Sequence, residues 1–365
     1  MKYSVEYFEQ KGMSEKFARY YMSCIEQERT HPSYDATYAE WTLSKGFLYS
    51  TAKKYGLNES NYTEYLSDED FYMVWPLNSW MKLWVDDKMT LKYILQGTKF
   101  SDVMPKYYFY STNKGSLRPL VDNPYGGGIS ALVKCIKEFK NIACKPNNGT
   151  QRAGFFRLSY DGNSLYINNQ VANEDDINSF VQSHPNYIFT EYLLPEKKMA
   201  EVHKLIHTLR LVVLNTEGNN PMIIGGYLRF GTDSHGAANH LSINEDCKAT
   251  SDFVAAINPT DGYIGNCKSI YFDKVLDTPA HPDTGVVVDW NIPNWNEIKK
   301  QVLELSSYFV DLEYLGFDFG LTDNGIKLME INTHPGITHM QVFKSLYEDT
   351  YVKNYFQTKL KAKLR

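Results

Sequence analysis

Apolar residues recur at helical spacing in two long stretches of the chain. In GGGISALVKCIKEF a glycine-rich turn leads into apolar positions three or four residues apart, from Ile129 to Phe139. The same spacing runs from Ile298 to Leu312, and Asn294 is predicted to cap that helix at its N-terminus. Both stretches are therefore predicted to be amphipathic helices.

Further helices are predicted for residues 1 to about 80, for residues 86–97 and near residues 174–184. The intervening apolar runs are bounded by turn residues, which is typical of strands. Because several runs are separated only by short turns, we expect mostly antiparallel sheets and an α+β fold. The predicted strands are KYYFY, NIACK, FFRLSY, LYINN, YIFTEYL, TLRLVVLNT, MIIGGYLRFG, LGFDFGLT and IKLMEI.

Composition limits the class of protein. The chain has 365 residues, of which 43% are hydrophobic and 22% charged, so we expect a globular protein of two or three lobes. A net charge of -5 excludes a large basic field for nucleic acid. Five cysteines without CxxC spacing indicate a reducing compartment. No apolar run reaches the roughly 18 residues of a membrane span, and no signal peptide is evident. We therefore expect a cytoplasmic enzyme or binding protein.

The last two predicted strands carry acidic residues among apolar ones. A three-residue loop, residues 323–325, would join them and bring Asp318 opposite Glu330. Because side chains alternate along a strand, Glu330 and Asn332 share one face. Two carboxylates and an amide suit Mg²⁺, which prefers oxygen ligands. The alternative is a solvated polar face, but carboxylates on apolar strands are costly unless they are paired or bound to metal.

Two lysines are candidates for phosphate binding. Lys145 ends the strand NIACK and precedes PNNGTQRAG, a loop containing Gly149 and Gly154. Backbone N–H groups of such a loop can join a lysine in binding phosphate. The loop lacks the GxxxxGK[ST] pattern, so an ordinary surface loop is the alternative. Lys88 in DDKMTLK is the second candidate, and for it the alternative is a solvated lysine at a helix start.

Two arginines and two histidines complete the candidate residues. Arg210 and Arg229 lie inside apolar strands, where an arginine either pairs with a carboxylate or binds an anion. His334 and His339 follow the proposed metal residues closely. They could orient a substrate or accept an amine proton, and the alternative is a loop histidine bonded to the backbone.

These features, in this order, resemble the ATP-grasp superfamily, and within it the sugar-transfer-associated group. The resemblance covers roughly residues 84–345 and implies an ATP-grasp fold, in which two α+β lobes clamp ATP, preceded here by a helical region. It implies four segments: a helical region over residues 1–83, an N-terminal part over 84–140, a lid over 141–196 and a catalytic lobe over 197–365. The stretches that carry it are TLRLVVLN, GGYLRFG, HPDTG, IPNW, LGFDFGLTDNG and LMEINTHPG.

The resemblance also implies roles for individual residues. It implies that Lys88 and Lys145 contact the ATP phosphates and that the loop from Asn147 to Gly154, with Gly149 and Gly154, closes over them. It implies an adenine-binding hinge at Glu191, Tyr192 and Leu193, and Mg²⁺ ligands at Asp318, Glu330 and Asn332. Arg210 and Arg229 would act at the phosphate or the acyl phosphate.

Two departures from the family pattern concern the acceptor side. Related D-Ala–D-Ala ligases have an arginine two residues before the metal-binding Asp, where this chain has Gly316. Arg229 is our candidate for the missing role in stabilising an oxyanion. The group also often shows an Asn-rich then Gly-Gly segment after its arginine strand. Here the matching region is AANHLSINED, where Asn239 fits and the glycines are replaced.

The resemblance implies an ATP- and Mg²⁺-dependent carboxylate–amine ligase that forms an acyl phosphate. Its partners would be a small-molecule carboxylate and an amine, with an amino acid and an amino sugar or glycan precursor of polysaccharide biosynthesis as one expectation. An ATP-dependent kinase acting on a hydroxyl of a small molecule or sugar is the first alternative. A non-catalytic nucleotide-binding protein is the second, although the set of Lys145, Asp318, Glu330 and Asn332 argues against it.

Overall fold

The structure is a computed structural model that describes residues 3–78, 80–148, 154–233 and 251–363. Its α-helices are α1 (Val5–Gln10), α2 (Glu15–Arg29), α3 (Ala36–Ser44), α4 (Tyr49–Tyr55), α5 (Asp68–Met73), α6 (Leu83–Asp86), α7 (Lys88–Leu95), α8 (Ile129–Phe139), α9 (Glu174–Ser183), α10 (Lys197–Val202), α11 (Trp295–Tyr308), α12 (Thr338–Gln341) and α13 (Thr350–Lys363). Its strands are β1 (Tyr107–Ser111), β2 (Leu117–Pro119), β3 (Asn141–Pro146), β4 (Phe156–Tyr160), β5 (Leu165–Ile167), β6 (Gln170–Ala172), β7 (Tyr187–Glu191), β8 (Thr208–Leu214), β9 (Met222–Arg229), β10 (Asp252–Ile257), β11 (Tyr263–Ile270), β12 (Val275–Asp277), β13 (Trp290–Asn291), β14 (Tyr314–Thr322) and β15 (Gly325–Asn332).

The strands form two sheets. The smaller has the order β2-β1-β7-β3-β4-β5-β6, and the larger has the order β12-β11-β10-β9-β8-β14-β15, with β13 paired to β11. Every strand pairing among the described residues is antiparallel. The predicted α+β class and the antiparallel character are confirmed.

Each face of the larger sheet has its own covering. On one face, leucines such as Leu211 and Leu228 pack with Phe317 and with residues of α7 and α11 in the main core. On the other face, Tyr227 and Val212 pack with residues of α5, α12 and α13. Because successive side chains on a strand point to opposite faces, the second face is the one that Arg210 and Asp318 share. The helical residues before β1 therefore cover part of the face that carries the candidate site.

The smaller sheet has a separate core. Helices α8 and α9 pack on one face with Ile142, Cys144 and Phe189. The Cys144 thiol is fully buried in this core, as expected for a residue that points away from Lys145. Lys145 therefore faces the opposite side of the sheet.

The hairpin of β14 and β15 differs from the prediction at its turn. Thr322 pairs with Gly325, so the expected three-residue loop with Thr322 facing Ile326 is wrong. The register then shifts between Asp318 and Phe319, because β15 contains one extra residue there. This bulge restores the predicted pairing of Asp318 with Glu330.

The predicted helix after Asn294 is present, but its predicted cap is wrong. Asn294 has a left-handed backbone with φ of 56°, and its side chain forms no capping hydrogen bond. The side-chain oxygen of an N-cap normally accepts a hydrogen bond from a backbone N–H of the first turn, which needs an extended backbone at the cap.

Among the described residues, none of the helices has the length and apolar character that a membrane span requires.

Candidate functional site

Three oxygen-bearing side chains lie together on the second face of the larger sheet. Asp318 is directly opposite Glu330, and Gly316 is opposite Asn332. The Asn332 amide donates a hydrogen bond of 3.2 Å from Nδ2 to Oδ2 of Asp318. This leaves the Asn332 amide oxygen available to a ligand. The convergence of Asp318, Glu330 and Asn332 that the sequence predicted is therefore present in the fold.

Glu330 carries a partly buried carboxylate without a direct ion pair. Among the described residues its carboxylate forms no ion pair within contact distance. Burial raises the pKa of Glu330, and the charges of Lys88 and Lys145 oppose that rise without cancelling it. A partly buried carboxylate without a direct partner is suited to binding a cation.

Arg210 is held by the carboxylate of Asp318. The two residues are opposite each other on β8 and β14. Arg210 donates from Nε to Oδ1 and from Nη2 to Oδ2, the second bond being 2.6 Å long. The paired charge of Asp318 helps to raise the pKa of the guanidinium against the effect of burial. Arg210 is thus a fixed positive charge at the edge of the carboxylate group.

The side chain of Arg210 also passes over Gly316. A Cβ added to Gly316 would lie 3.4 Å from Cδ of Arg210 and only 2.5 Å from Cβ of Pro335. A larger residue at position 316 would therefore displace Pro335. The arginine nearest to this position is Arg210 and not Arg229, which lies on the next strand, β9. Arg210 is therefore the candidate arginine beside Gly316, and the roles of both arginines stay predictions.

The charges of Lys88 and Lys145 act on Glu330. Lys145 lies at the end of β3 in the smaller sheet, and Lys88 begins α7. Burial, reinforced by the charge of Lys88, lowers the pKa of Lys145 to about 8, while the charge of Glu330 opposes that shift. These mutual effects bring groups from both sheets into one electrostatic cluster.

Asn147 joins the start of α7 to the strand that carries Lys145. Its carbonyl oxygen accepts from Lys88 N at 3.3 Å, and its side-chain oxygen accepts from Met89 N at 2.8 Å. Its amide donates to Oδ2 of Asp87 at 2.6 Å. The two candidate lysines are therefore held in a fixed relationship. Nothing in the sequence near Asn147 indicates this role, because its partners are distant in the chain.

The glycine loop is only partly described. Gly149 lies outside the described residues. Gly154 has a φ of 81°, and a Cβ there would collide with the hydroxyl of Tyr187. Only glycine fits this left-handed position without strain. The end of the loop is therefore packed against β7.

The hinge residues follow β7 and lie near the larger sheet. The carboxylate of Glu191 accepts from Lys106 N at 3.1 Å, so it is occupied by backbone. Tyr192 follows directly, and Leu193 lies 3.5 Å from the Cβ position of Gly320. A Cβ at Gly320 would also lie 3.0 Å from Ile206, so a larger residue there would crowd these side chains.

His334 has a structural environment. Its ring lies 3.7 Å from Trp75, 4.9 Å from Phe17 and 5.1 Å from Phe71, measured between ring centroids. Burial holds its pKa at about 3, so the imidazole is neutral at ordinary pH. Its Nε2 is buried without a hydrogen-bond partner among the described residues. His334 is therefore packed among aromatic rings, which neither the predicted substrate role nor the predicted backbone bond describes.

Asn78 is a residue that sequence reasoning missed. It is almost fully buried, and its amide donates to the carbonyl oxygens of Tyr314 at 2.6 Å and Thr333 at 3.0 Å. Its own oxygen accepts from Tyr314 N at 3.2 Å. Asn78 thus fastens the start of β14 to the end of β15. A single asparagine in WPLNSW gives no periodic signal that would reveal this.

The described residues also contain one compact group of possible metal ligands elsewhere, His203, Asp233 and Asp283. Nδ1 of His203 accepts from Leu205 N at 3.3 Å. The proton is then on Nε2, the atom that faces Asp233. A metal would need that lone pair free, so the hydrogen bonding favours a simple His–Asp contact.

Comparison with known proteins gives a family. The profile of the family described as sugar-transfer associated ATP-grasp matches residues 77–350. Among solved structures, D-alanyl-alanine synthetase A from Vibrio cholerae O1 biovar eltor is 15% identical, with 77% of this chain and 66% of that chain covered and a TM-score of 0.44.

Two further solved structures are similar at the same level. The ATP-grasp ligase PsnB complexed with minimal precursor is 13% identical, covers 77% of this chain and 62% of its own, and has a TM-score of 0.39. D-alanine–D-alanine ligase from Bacillus anthracis is 14% identical, with 77% and 66% covered and a TM-score of 0.35. The chain therefore spans less than two thirds of the length of these proteins. No curated protein matches it.

Proposed function

This chain belongs to the sugar-transfer associated ATP-grasp family, and we propose that it is an ATP-dependent carboxylate–amine ligase that works through an acyl phosphate. One observation carries the proposal. Lys88 and Lys145 act electrostatically on Glu330, which lies opposite Asp318. A nucleoside triphosphate with its metal ion needs cations for its phosphates and oxygen ligands for its metal, and both are grouped here.

The donor set fits Mg²⁺. Asp318, Glu330 and Asn332 offer only oxygen to a metal, and Mg²⁺ prefers oxygen ligands with few from protein. Burial raises the pKa of Glu330. A bound cation would balance the charge of this carboxylate. When bound, Mg²⁺ would neutralise charge on the phosphate oxygens. We therefore assign these three residues as the proposed metal ligands.

The remaining residues are assigned to the nucleotide. Lys88 and Lys145 would bind the phosphates, with Lys145 also near the adenine, and Gly149 and Gly154 belong to the loop that would close over them. The segment Glu191, Tyr192 and Leu193 would bind adenine through its backbone, because the Glu191 carboxylate is already occupied by Lys106 N. Exposed Leu194 and partly exposed Leu193 would let a purine pack beside the hinge.

In the proposed reaction a substrate carboxylate oxygen attacks the γ-phosphorus of ATP, giving an acyl phosphate and ADP. An amine then attacks the acyl carbon, loses a proton, and inorganic phosphate leaves with the electron pair of the C–O bond. The chain positions the reactants and neutralises charge. Arg210, held by Asp318, would stabilise the developing negative charge, and Arg229 lies one strand farther away.

Substrates and cellular context are part of the proposal. We propose a small carboxylate such as an amino acid, and an amine such as an amino sugar or glycan precursor of polysaccharide biosynthesis, since the family is described as sugar-transfer associated. A cytoplasmic location is supported by the four described cysteines, which are all free. The proposed division is a helical region of residues 1–83, two ATP-grasp parts over 84–140 and 141–196, and a catalytic lobe over 197–365.

The test is ADP release with ATP, Mg²⁺ and a panel of amino acids and amino sugars, followed by mass spectrometry. A ligase gives a product equal in mass to its two substrates less one water. Hydroxylamine in place of the amine should trap the acyl phosphate as a hydroxamate. A product that gains a phosphoryl group and survives hydroxylamine would identify a kinase instead, and the ligase proposal would then be wrong.

A further inference from the structure

A buried histidine–carboxylate pair lies on the same sheet face as the proposed metal site. His339 of α12 and Asp252 of β10 are joined by a hydrogen bond of 3.0 Å between Nε2 and Oδ2. Because a carboxylate accepts, Nε2 carries the proton and Nδ1 is left as an acceptor. The ring also stacks on Tyr227 with centroids 5.1 Å apart. Two contacts therefore fix the orientation of the imidazole.

The pair is within reach of the proposed reaction centre. Tyr227 is opposite Arg210, and Arg210 is opposite Asp318. Neighbouring strands are about 4.8 Å apart, so Tyr227 and Asp318 are about 10 Å apart at their Cα atoms. His339 stacks on Tyr227, so it lies on the same face as Asp318, with the strand of Arg210 between them.

Arg229 lies near this pair on the same sheet face. It is only 8% exposed, and its Nε has no hydrogen-bond partner among the residues that the structure describes. It occupies the next position of β9 on the face of Tyr227, opposite Thr208. A buried guanidinium with an unsatisfied donor is costly unless an anion meets it. This side chain therefore points to an anionic group on the ligand.

The helical region supplies a second cation. Lys54 of α4 is partly buried, and its charge acts on Asp252 and on His339. Burial is the main cause of the lowered pKa of His339, the charges of Arg229 and Lys54 lower it further, and Asp252 opposes them. The imidazole is therefore neutral and able to accept a proton. Two nearby cations would also favour the neutral, nucleophilic form of a bound amine.

We propose that the amine substrate, which carries a carboxylate or phosphate group, binds beside Arg229, Lys54 and the Asp252–His339 pair. Arg229 binds that anionic group. As the amine nitrogen bonds to the acyl carbon and phosphate departs, the amine proton passes to Nδ1 of His339 and from there to water. Asp252 is a positioning residue that orients the imidazole. This inference rests on the proposed ligase function.

The test separates the two half-reactions. Hydroxylamine is small and uncharged near neutral pH, so it can trap the acyl phosphate without the anion site or the base. We expect His339→Asn to keep hydroxamate formation within about twofold and to lose at least about 100-fold in kcat with the amine substrate, the lower range for general base catalysis. His184→Asn, a histidine on α9's C-terminus, is the matched control and should change neither rate.

Acceptor pairs test the anion site. Alanine against alaninamide probes a carboxylate, and glucosamine 6-phosphate against glucosamine probes a phosphate. The charged member of one pair should be preferred, and Arg229→Gln should raise its KM by about tenfold or more while leaving the neutral member unchanged. Lys54→Gln should weaken the same preference. Asp252→Asn should lower kcat and alter the acidic limb of the pH profile, which a purely structural role would not move.

Each outcome decides the inference. Unchanged ligation in His339→Asn, or equal loss of hydroxamate and ligation in a variant that melts at the wild-type temperature, overturns it. If His339→Asn does not fold, His339→Gln replaces it, with the same criterion. Equal use of charged and neutral acceptors overturns the role of Arg229. Absence of hydroxamate from the wild type with every amino acid would instead remove the ligase proposal itself.

Discussion

Arg210 and Asp318 form a two-bond ion pair across adjacent strands, in which Nε and Nη2 of the arginine donate to the two oxygens of the carboxylate. Both side chains are about nine-tenths buried. One pair thus satisfies a buried arginine and orients a proposed metal ligand at the same time. The consequences for stability and for catalysis can be separated by mutation.

Breaking this pair on one side should be costly. Arg210→Met leaves the buried charge of Asp318 without its partner, and we expect the free energy of unfolding to fall by about 3–5 kcal/mol. The double variant Arg210→Met with Asp318→Leu should lose much less than the two single variants added together. Urea denaturation of all four proteins measures this coupling. If the losses in free energy of unfolding of the two single variants simply add in the double variant, the two residues do not stabilise each other.

Glu330→Gln should separate metal binding from folding. The folded chain raises the pKa of Glu330, so its contribution to stability is full below the unfolded pKa and is lost as the pH rises through the folded pKa. At neutral pH and without metal, the variant should therefore be at least as stable as the wild type in urea. Its Mg²⁺-dependent release of ADP should be abolished.

The control for that experiment is Glu297→Gln, in the exposed first turn of α11. It should keep wild-type turnover. Near-normal ADP release by Glu330→Gln would contradict the assignment of Glu330 to the metal.

Lys145 should make nucleotide binding depend on pH. Burial lowers its pKa to about 8, so the affinity for ADP with Mg²⁺ should fall as the pH rises above about 8. Lys145→Arg keeps its charge and should remove this dependence. In nucleotide-free protein the stability trend is opposite and rises from about pH 8 towards 10.5, the ordinary lysine value. Isothermal titration calorimetry measures the binding, with Lys114→Arg as the control on an exposed turn.

Asn78→Ala tests the hydrogen bonds by which Asn78 joins the start of β14 to the end of β15. The change leaves the peptide groups of Tyr314 and Thr333 buried without their partner, and we expect unfolding to become easier by about 3 kcal/mol. The affinity for Mg²⁺ should also fall, because Asn332 precedes Thr333 directly. Asn163→Ala in the exposed turn before β5 should have little effect on either. Wild-type urea stability in Asn78→Ala would show that water replaces the lost bonds.

Much of the site could be predicted from residues close together in the chain. Strand alternation and a short turn predict that Asp318 lies opposite Glu330. This pairing is correct although the predicted turn is wrong. The turn proved one residue shorter, and the bulge in β15 compensated for it. A bulge responds to packing on both sides of a strand, which the pattern of one strand does not contain.

Other parts of the site depend on residues far apart in the sequence. Asn78 meets Tyr314 across 236 positions, and Asp252 meets His339 across 87. Neither pair has a spacing that periodicity could detect. The sequence analysis likewise left the helical region without a role, whereas its aromatic residues enclose His334 and its Lys54 acts on His339.

By itself the sequence predicted the helices α8 and α11, the strands β8, β9, β14 and β15, and the shared face of Glu330 and Asn332, because periodicity and turn chemistry act over a few residues. Its motif order also indicated the family. Only the tertiary structure decided that Lys145 of one sheet acts on Glu330 of the other, that Asp318 is bound to Arg210, and that Nε of Arg229 has no partner among the described residues. These relationships depend on burial and on charges brought together by packing, and both exist only once distant segments have met.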